Sequence, residues 1–159
     1  MNDEARIREL IERWAAAVRA GDLAGVLADH ADDIVMYDVP PPNDGVRGID
    51  AYRETWPPFF RWLAEGAVFE IVSLDVTAGS DVAFAYALLR CGKPEEFRVD
   101  PDNRLRLTIG LRKSDDRWRV THEHHSFPLP ISAPDASETP APQGLSAPTD
   151  AEAGSAGSI

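Results

Sequence analysis

Residues 104–127 read RLRLTIGLRKSDDRWRVTHEHHSF, and this stretch decides the fold. In its first half leucine or isoleucine alternates with arginine or threonine, which is the period of a β-strand that has one apolar face. The serine and two aspartates in its middle are a turn signal, and the residues from Arg117 onward read as a second strand. The stretch therefore predicts two consecutive strands of an antiparallel sheet.

The residues before this stretch add further strands. Residues 67–79 and 81–92 are two long runs rich in apolar and aromatic residues, and a turn signal of Gly79 and Ser80 lies at the junction between them. Residues 33–38, DIVMYD, form a shorter β-rich run that ends at three consecutive prolines. We therefore expect one short early strand and a later meander of four strands.

The N-terminal part carries helical patterns. Apolar residues at i, i+3, i+4 and i+7 follow Asn2 and Asp3, which are capping candidates, and the pattern stops at Gly21. A short second helix follows, and Asp50 is the expected cap of a third. The pair Pro57-Pro58 is expected to break or restart that third helix. This order of elements predicts an α+β fold in which about three helices pack on one face of a curved antiparallel sheet.

A change in composition predicts the domain boundary. Residues 1–130 have the mixed composition of one globular domain, whereas residues 131–159 are rich in serine, alanine and proline, contain acidic residues and have no aromatic residue. The sequence therefore predicts one domain followed by a disordered acidic tail.

Charge and hydropathy argue against nucleic acids and membranes as partners. The chain has 27 acidic and 16 basic residues and a formal net charge of -11, which disfavours nucleic acid and anionic lipid as partners. The amino terminus has no apolar segment of the kind that a secretion signal needs, and no run of 18 apolar residues occurs. The expected location is the cytoplasm, with no membrane contact.

Strict alternation assigns faces to the final strand. Trp118 and Val120 mark the buried face, so the same period turns His122 and His124 inward. Glu123 and His125, together with Thr121 and Arg119, then face outward.

Three motifs carry a resemblance to a known family. They are ERWAAAVRAGDLAGVLADHADDIVMYDVPPP, which starts at Glu12, GIDAYRETW, which starts at Gly48, and WRVTHEH, which starts at Trp118. Over about residues 4–128 the chain resembles the ketosteroid isomerase and SnoaL-like polyketide cyclase superfamily. That resemblance implies a cone-shaped fold, like that of nuclear transport factor 2, which encloses a cavity and hosts several activities as well as non-catalytic binders.

The resemblance also implies roles for single residues. Asp38 matches the general base of the isomerases. Their oxyanion hole combines a tyrosine with a protonated aspartate, whereas this sequence has Trp14 in place of the tyrosine and Leu107, or a neighbour, in place of the aspartate. Relatives of this fold commonly form dimers through the sheet, so we expect a homodimer through the face that carries the following residues: Arg106, Thr108, Arg119, Thr121, Glu123 and His125.

These observations predict a catalytic site of Asp38, His122 and His124. Asp38 would accept a proton and an imidazole would donate one, because imidazole titrates near neutrality. The predicted ligand-binding residues are Trp14, Tyr37, Trp56, Phe59, Phe60, Phe84, Tyr86, Ile109 and Trp118. The predicted substrate is a small apolar or aromatic carbonyl or polyketide-like compound, and no cofactor or metal is expected.

Other interpretations of the same residues stay open at this stage. His122 and His124 could be hydrogen-bonded residues of the cavity wall, or they could share a metal ion with Asp38. Asp38 could simply stabilise a turn before the prolines. The alternative function is a non-catalytic dimeric protein that binds a small molecule in the same cavity.

Overall fold

The structure is a computed structural model, and it describes residues 2–129. The tail predicted over residues 131–159 lies outside the described residues. Within residues 2–129 none of the helices is both long and apolar enough to cross a membrane.

The described part of the chain, residues 2–129, forms four helices, two of them short. Asn2 caps the first helix by accepting a hydrogen bond from the backbone N–H of Ala5 at 2.8 Å, and Gly21 ends it in the left-handed conformation. Asp22 caps the second helix in the same way through the N–H of Gly25. The helices are α1 (Asp3–Ala20), α2 (Leu23–Leu27), α3 (Ile49–Ala64) and α4 (Pro94–Val99).

Three details of the helices differ from the prediction. Gly48, rather than Asp50, is the N-cap of α3, and Asp50 lies in the first turn, where its carboxylate is 2.6 Å from Arg53. The prolines Pro57 and Pro58 lie inside α3 without ending it. The short helix α4 was not predicted, because six residues carry too little periodicity to be recognised.

Among the described residues six strands form one sheet. They are β1 (His30–Tyr37), β2 (Val46–Arg47), β3 (Val68–Ala78), β4 (Val82–Gly92), β5 (Leu105–Ser114) and β6 (Arg117–Ser126). Their order across the sheet is β2-β1-β6-β5-β4-β3, and every neighbouring pair is antiparallel except β1 and β6, which are parallel. Asp115 and Asp116 join β5 to β6 with φ angles of 50° and 58°, as a tight two-residue hairpin turn requires.

The core lies between the helices and one face of the sheet. The apolar stripe of α1 packs against inward residues of β3, and Trp14 makes an edge contact with Phe69 whose ring centroids are 5.7 Å apart. Trp56 of α3 continues this aromatic layer at 6.0 Å from Trp14. The α+β fold expected from the order of elements is confirmed, with a sheet that is mixed rather than wholly antiparallel.

A β-bulge in the last strand reverses the predicted faces. Val120 pairs with Leu111, but the next pair joins His122 to Gly110, so Thr121 is an extra residue in β6. Because one extra residue exchanges the two faces of a strand, Glu123 and His125 point into the core. The predicted inward orientation of His122 and His124, and the outward orientation of Glu123 and His125, are therefore wrong.

Candidate functional site

A cavity of about 610 Å³ opens between α3, the end of β1 and the inner face of the sheet. Aromatic rings form much of its wall, and a few polar side chains converge on it. The lining residues are Met36, Asp38, Val39, Pro40, Thr55, Trp56, Pro58, Phe59, Trp62, Phe69, Cys91, Gly92, Glu96, Asn103, Leu105, His125 and Phe127. A largely apolar pocket of this size with a few polar groups is typical of a small-molecule site.

Asp38 and His125 face each other on the wall of this cavity. Asp38 follows the last residue of β1, and the strand period puts it on the same side as the buried Met36. Its Oδ1 is 3.9 Å from Nδ1 of His125, which is too long for a hydrogen bond and close enough for electrostatic attraction. A ligand atom that approached both residues would therefore meet a carboxylate and an imidazole together.

Glu123 holds the other nitrogen of His125. Nε2 of His125 donates a hydrogen bond to Oε2 of Glu123 at 2.9 Å. The carboxylate of Glu123 is only 1% exposed, and its Oε1 is 2.6 Å from Nε2 of His30 and 2.8 Å from the hydroxyl of Tyr52. Three donors therefore surround one buried carboxylate, which favours its ionised form.

The tautomer of His30 follows from the same contacts. Its Nε2 must carry the proton, because that nitrogen faces Glu123. Its Nδ1 is buried and has no hydrogen-bond partner among residues 2–129. The N–H on Nε2 is therefore the hydrogen that His30 gives to the buried carboxylate.

The buried pair shifts both pKa values towards the charged forms. Burial alone would raise the pKa of Glu123, but hydrogen bonds from His125 and His30 hold it below its ordinary value. Burial alone would lower the pKa of His125, but the hydrogen bond and negative charge of Glu123, with a smaller contribution from Asp38, raise it. The contacts therefore favour a carboxylate on Glu123 and an imidazolium on His125, and Nδ1 of that ring lies towards Asp38.

The predicted roles of Asp38 were a base and a turn-forming residue, and its surroundings suit both. Its Oδ1 accepts a hydrogen bond from the N–H of Val39 at 2.7 Å, as the turn interpretation expects. Asp38 also lines the cavity beside His125. The local hydrogen bond fixes the carboxylate without removing it from the cavity.

Only part of the predicted ligand-binding set lies on the cavity. Trp56 and Phe59 line it. Trp14, Phe60, Ile109 and Trp118 belong to the core or pack against it and do not line the cavity. Tyr37, Phe84 and Tyr86 are 39%, 49% and 53% exposed and do not line it, so the prediction that they bind the ligand in this cavity is wrong.

His122 and His124 lie on the outer face of the sheet. Nδ1 of His122 donates to the carbonyl oxygen of Val35 at 2.8 Å, and the rings of His122 and His124 pack on Tyr37 at 5.2 and 5.7 Å. A metal site shared by these histidines and Asp38 is not assembled, because Asp38 faces the cavity. Residues 2–129 contain no cluster of three histidine, cysteine, aspartate or glutamate side chains arranged for a metal ion.

The residues that sequence reasoning missed are His30, Tyr52, Glu123 and His125. A glycine inside a strand is a known signal of a bulge, and Gly110 opposite His122 was such a signal. Nothing local marks His30 or Tyr52, because the first lies 93 residues from Glu123 in sequence and the second 71 residues.

Comparisons with known proteins agree with this architecture. A family model described as a SnoaL-like domain matches residues 7–130. An NTF2-like protein of unknown function from Pseudomonas putida KT2440 is 38% identical, with a TM-score of 0.70 over 79% of this chain and 87% of that one. No curated protein gives a significant match.

A more distant structure shows the fold alone. It is an NTF2-like protein with a cystatin-like fold from Novosphingobium aromaticivorans, 21% identical, with a TM-score of 0.63 over 82% of this chain and 84% of that one. The family model spans all six strands and the cavity that they help to enclose. The chain therefore belongs to the SnoaL-like domain family.

Proposed function

We propose that this protein transfers protons on a small apolar carbonyl compound, with Asp38 as general base and His125 as general acid. The observation that carries the proposal is the pairing of these two side chains, 3.9 Å apart, on the wall of an aromatic cavity. Both proton-transfer groups come from the chain, so the proposed reaction uses no cofactor.

The charge states suit this division of roles. Asp38 would remove a proton from the carbon beside the carbonyl group, while Nδ1–H of His125 donates a proton to the carbonyl oxygen. The product of that step is an enol, and returning the proton to the same or another carbon completes an exchange or an isomerisation. Glu123 stabilises the imidazolium that donates, and it fixes the ring so that Nδ1 faces the cavity.

A solvent-exchange assay tests the proposal without knowledge of the natural substrate. Small aryl ketones and enones are incubated in deuterium oxide with the protein, and deuterium uptake at the α-carbon is followed by NMR. Asp38→Asn keeps the shape and removes the basicity, so exchange should fall by about 100-fold or more. His125→Gln should also reduce exchange strongly.

The neighbouring histidine supplies a matched control. His124 is exposed on the opposite face of the sheet, so His124→Gln should leave exchange unchanged. Equal losses in the His124 and His125 variants, or full activity in Asp38→Asn, would contradict the assignment.

The alternative is a binding protein that uses the same cavity without chemistry. The hydrogen bond from the N–H of Val39 to Asp38 favours it, because that bond gives the carboxylate a structural use. Measuring ligand binding and deuterium exchange in the wild type and in Asp38→Asn distinguishes the two functions. In a binding protein Asp38→Asn retains the ligand and wild-type protein shows no exchange, whereas in an enzyme the variant retains the ligand and loses exchange.

We also propose that a second copy of the chain covers the outer face of the sheet. Phe84 and Tyr86 stack there with ring centroids 6.4 Å apart, and Leu88 continues this exposed row at 41% exposure. Arg106 on β5 and Asp75 on β3 flank the row on opposite sides. A two-fold axis through the row would bring unlike charges together, which suits a self-complementary interface. The sequence pattern predicted a dimer surface that included Glu123 and His125. In the proposed interface His122 and His124 take their place, because they lie on the outer face of the sheet.

A further inference from the structure

Apart from the buried pair of Glu123 and His125, the charged side chains that line the cavity are acidic. Asp38 and Glu96 both contribute carboxylates to the wall, and the described lining contains no lysine or arginine. The imidazolium of His125 is balanced by Glu123, with which it shares a hydrogen bond of 2.9 Å. The excess charge on the cavity wall is therefore negative.

Within residues 2–129 neither carboxylate is paired with a lysine or arginine side chain, and Asp38 lies 3.9 Å from the imidazole of His125. Asp38 accepts a hydrogen bond from the backbone of Val39, and Glu96 accepts one from the backbone N–H of Lys93. The ammonium group of Lys93 lies 3.1 Å from Glu65 instead. Both carboxylates therefore keep acceptor capacity that a bound cation can use.

Cys91 is a cavity residue whose thiol is affected by the negative charges of both carboxylates. This residue lines the cavity, and burial raises the pKa of its thiol to about 12, with further contributions from the negative charges of Asp38 and Glu96. A second anion brought into the same volume would meet the same repulsion.

The aromatic wall favours a cation as well. The cavity is lined by five aromatic residues: Trp56, Phe59 and Trp62 of α3, together with Phe69 and Phe127. Ring faces attract ammonium groups, and the attraction increases where water is excluded. Rings and carboxylates on one wall therefore favour a ligand that is apolar and positively charged.

We infer that the substrate of this cavity is a small aromatic compound that carries an ammonium group, which Glu96 binds, and that carboxylate-bearing compounds are rejected. This inference rests on the proposed function in that it assigns the class of substrate for the same cavity. Asp38 keeps its role as base, and Glu96 determines specificity.

Isothermal titration calorimetry with three probes of one shape tests the inference. The probes are 2-naphthylmethylamine, 2-naphthalenemethanol and 2-naphthoate, which are positive, neutral and negative at neutral pH. The amine should bind about fivefold to tenfold more tightly than the alcohol, the carboxylate should bind most weakly, and added salt should reduce the difference.

Two variants of neighbouring glutamates locate the effect. Glu96→Gln keeps an oxygen that can accept from the N–H of Lys93, so α4 should stay capped, and circular dichroism checks that the variant is folded. This variant should lose most of the preference for the amine over the alcohol. Glu95→Gln is the matched control, because Glu95 is exposed on the same helix and does not line the cavity, and it should retain the preference.

The outcomes separate this inference from the proposed function. Equal binding of the three probes, tighter binding of the carboxylate, no binding of any probe, or a preference that survives in folded Glu96→Gln overturns the inference. Deuterium exchange into neutral 2-acetylnaphthalene is measured in parallel. Preference for the amine without exchange in any ketone upholds the inference and removes the proposed function, and exchange without that preference does the reverse.

Discussion

Replacing Glu123 by glutamine changes one charge at the centre of the site and little else. The amide oxygen of Glu123→Gln can still accept hydrogen bonds from His30 and Tyr52, which both lie within 2.8 Å of Oε1. Its NH₂ group would face Nε2 of His125, where the carboxylate had accepted a hydrogen bond. His125 can satisfy that contact only as a neutral ring protonated on Nδ1, so the variant should fold with an uncharged imidazole.

The magnitude follows from a charged hydrogen bond that a neutral one replaces. A hydrogen bond to a charged group contributes about 1.5–3 kcal/mol and a neutral one about 0.5–1.5 kcal/mol, so the replacement costs about 1 kcal/mol. For a domain of this size that loss lowers Tm by roughly 4 °C. The same free energy corresponds to about a fivefold loss of kcat/KM where a protonated His125 is required.

The pH dependence has a defined sign. A general acid works while it is protonated, so activity is present below the pKa of His125 and is lost as pH rises through it. In the wild type Glu123 raises that pKa above its ordinary value of 6.5, so the alkaline loss begins above that pH. In Glu123→Gln burial opposes the charge and only Asp38 supports it, so the alkaline loss should begin at lower pH.

The free energy of unfolding reports independently on the interaction between Glu123 and His125. The folded-state pKa of Glu123 is lowered from 4.5, so its ionised form stabilises the fold above that pH, and the contribution is lost as pH falls through the folded-state value. The stability difference between wild type and variant should therefore shrink on acidification. Urea unfolding at several pH values, with the pH profile of deuterium exchange, measures both effects. An unchanged alkaline limb together with unchanged stability would refute the proposed role of Glu123.

Three further predictions concern other parts of the molecule. Tyr52→Phe removes one of the three donors to Glu123 and should lower the free energy of unfolding by about 1–2 kcal/mol, measured by urea denaturation. The thiol of Cys91, whose pKa is raised to about 12 from 9.0, should react with a disulfide reagent about a thousandfold more slowly in folded than in unfolded protein, and a fast reaction of the folded protein contradicts its burial. Phe84→Asp places a charge on the outer sheet face and should shift sedimentation from dimer to monomer, whereas a wild-type monomer at tens of micromolar, roughly the range of weak dimers, rules out that interface.

Much of the fold could be predicted because its signals are local. Alternation along residues 105–111 identifies β5, and the i, i+3, i+4 spacing with Asn2 and Gly21 identifies α1 and its ends. These patterns arise because one face of each element must be buried, and that requirement acts on residues near one another in sequence.

The candidate site could be predicted only in part for the same reason. Asp38, Trp56 and Phe59 line the cavity, and each was among the residues that the sequence pattern suggested for the site. His122 and His124 were assigned inward by extending the alternation of Trp118 and Val120 through the strand. That extension assumed that β6 contains no β-bulge, whereas Thr121 is an extra residue in it.

The sequence by itself determined that the final strand carries a glutamate and three histidines, and tertiary structure decided which of them enter the cavity. The extra residue at Thr121 belongs to the pairing of β6 with β5, where His122 comes opposite Gly110. Pairing with β1 on the other side then aligns Glu123 with the buried Met36. Because hydrogen bonding to two neighbouring strands sets the register, and a shift of one residue exchanges the faces, no local pattern could select His125 over His124.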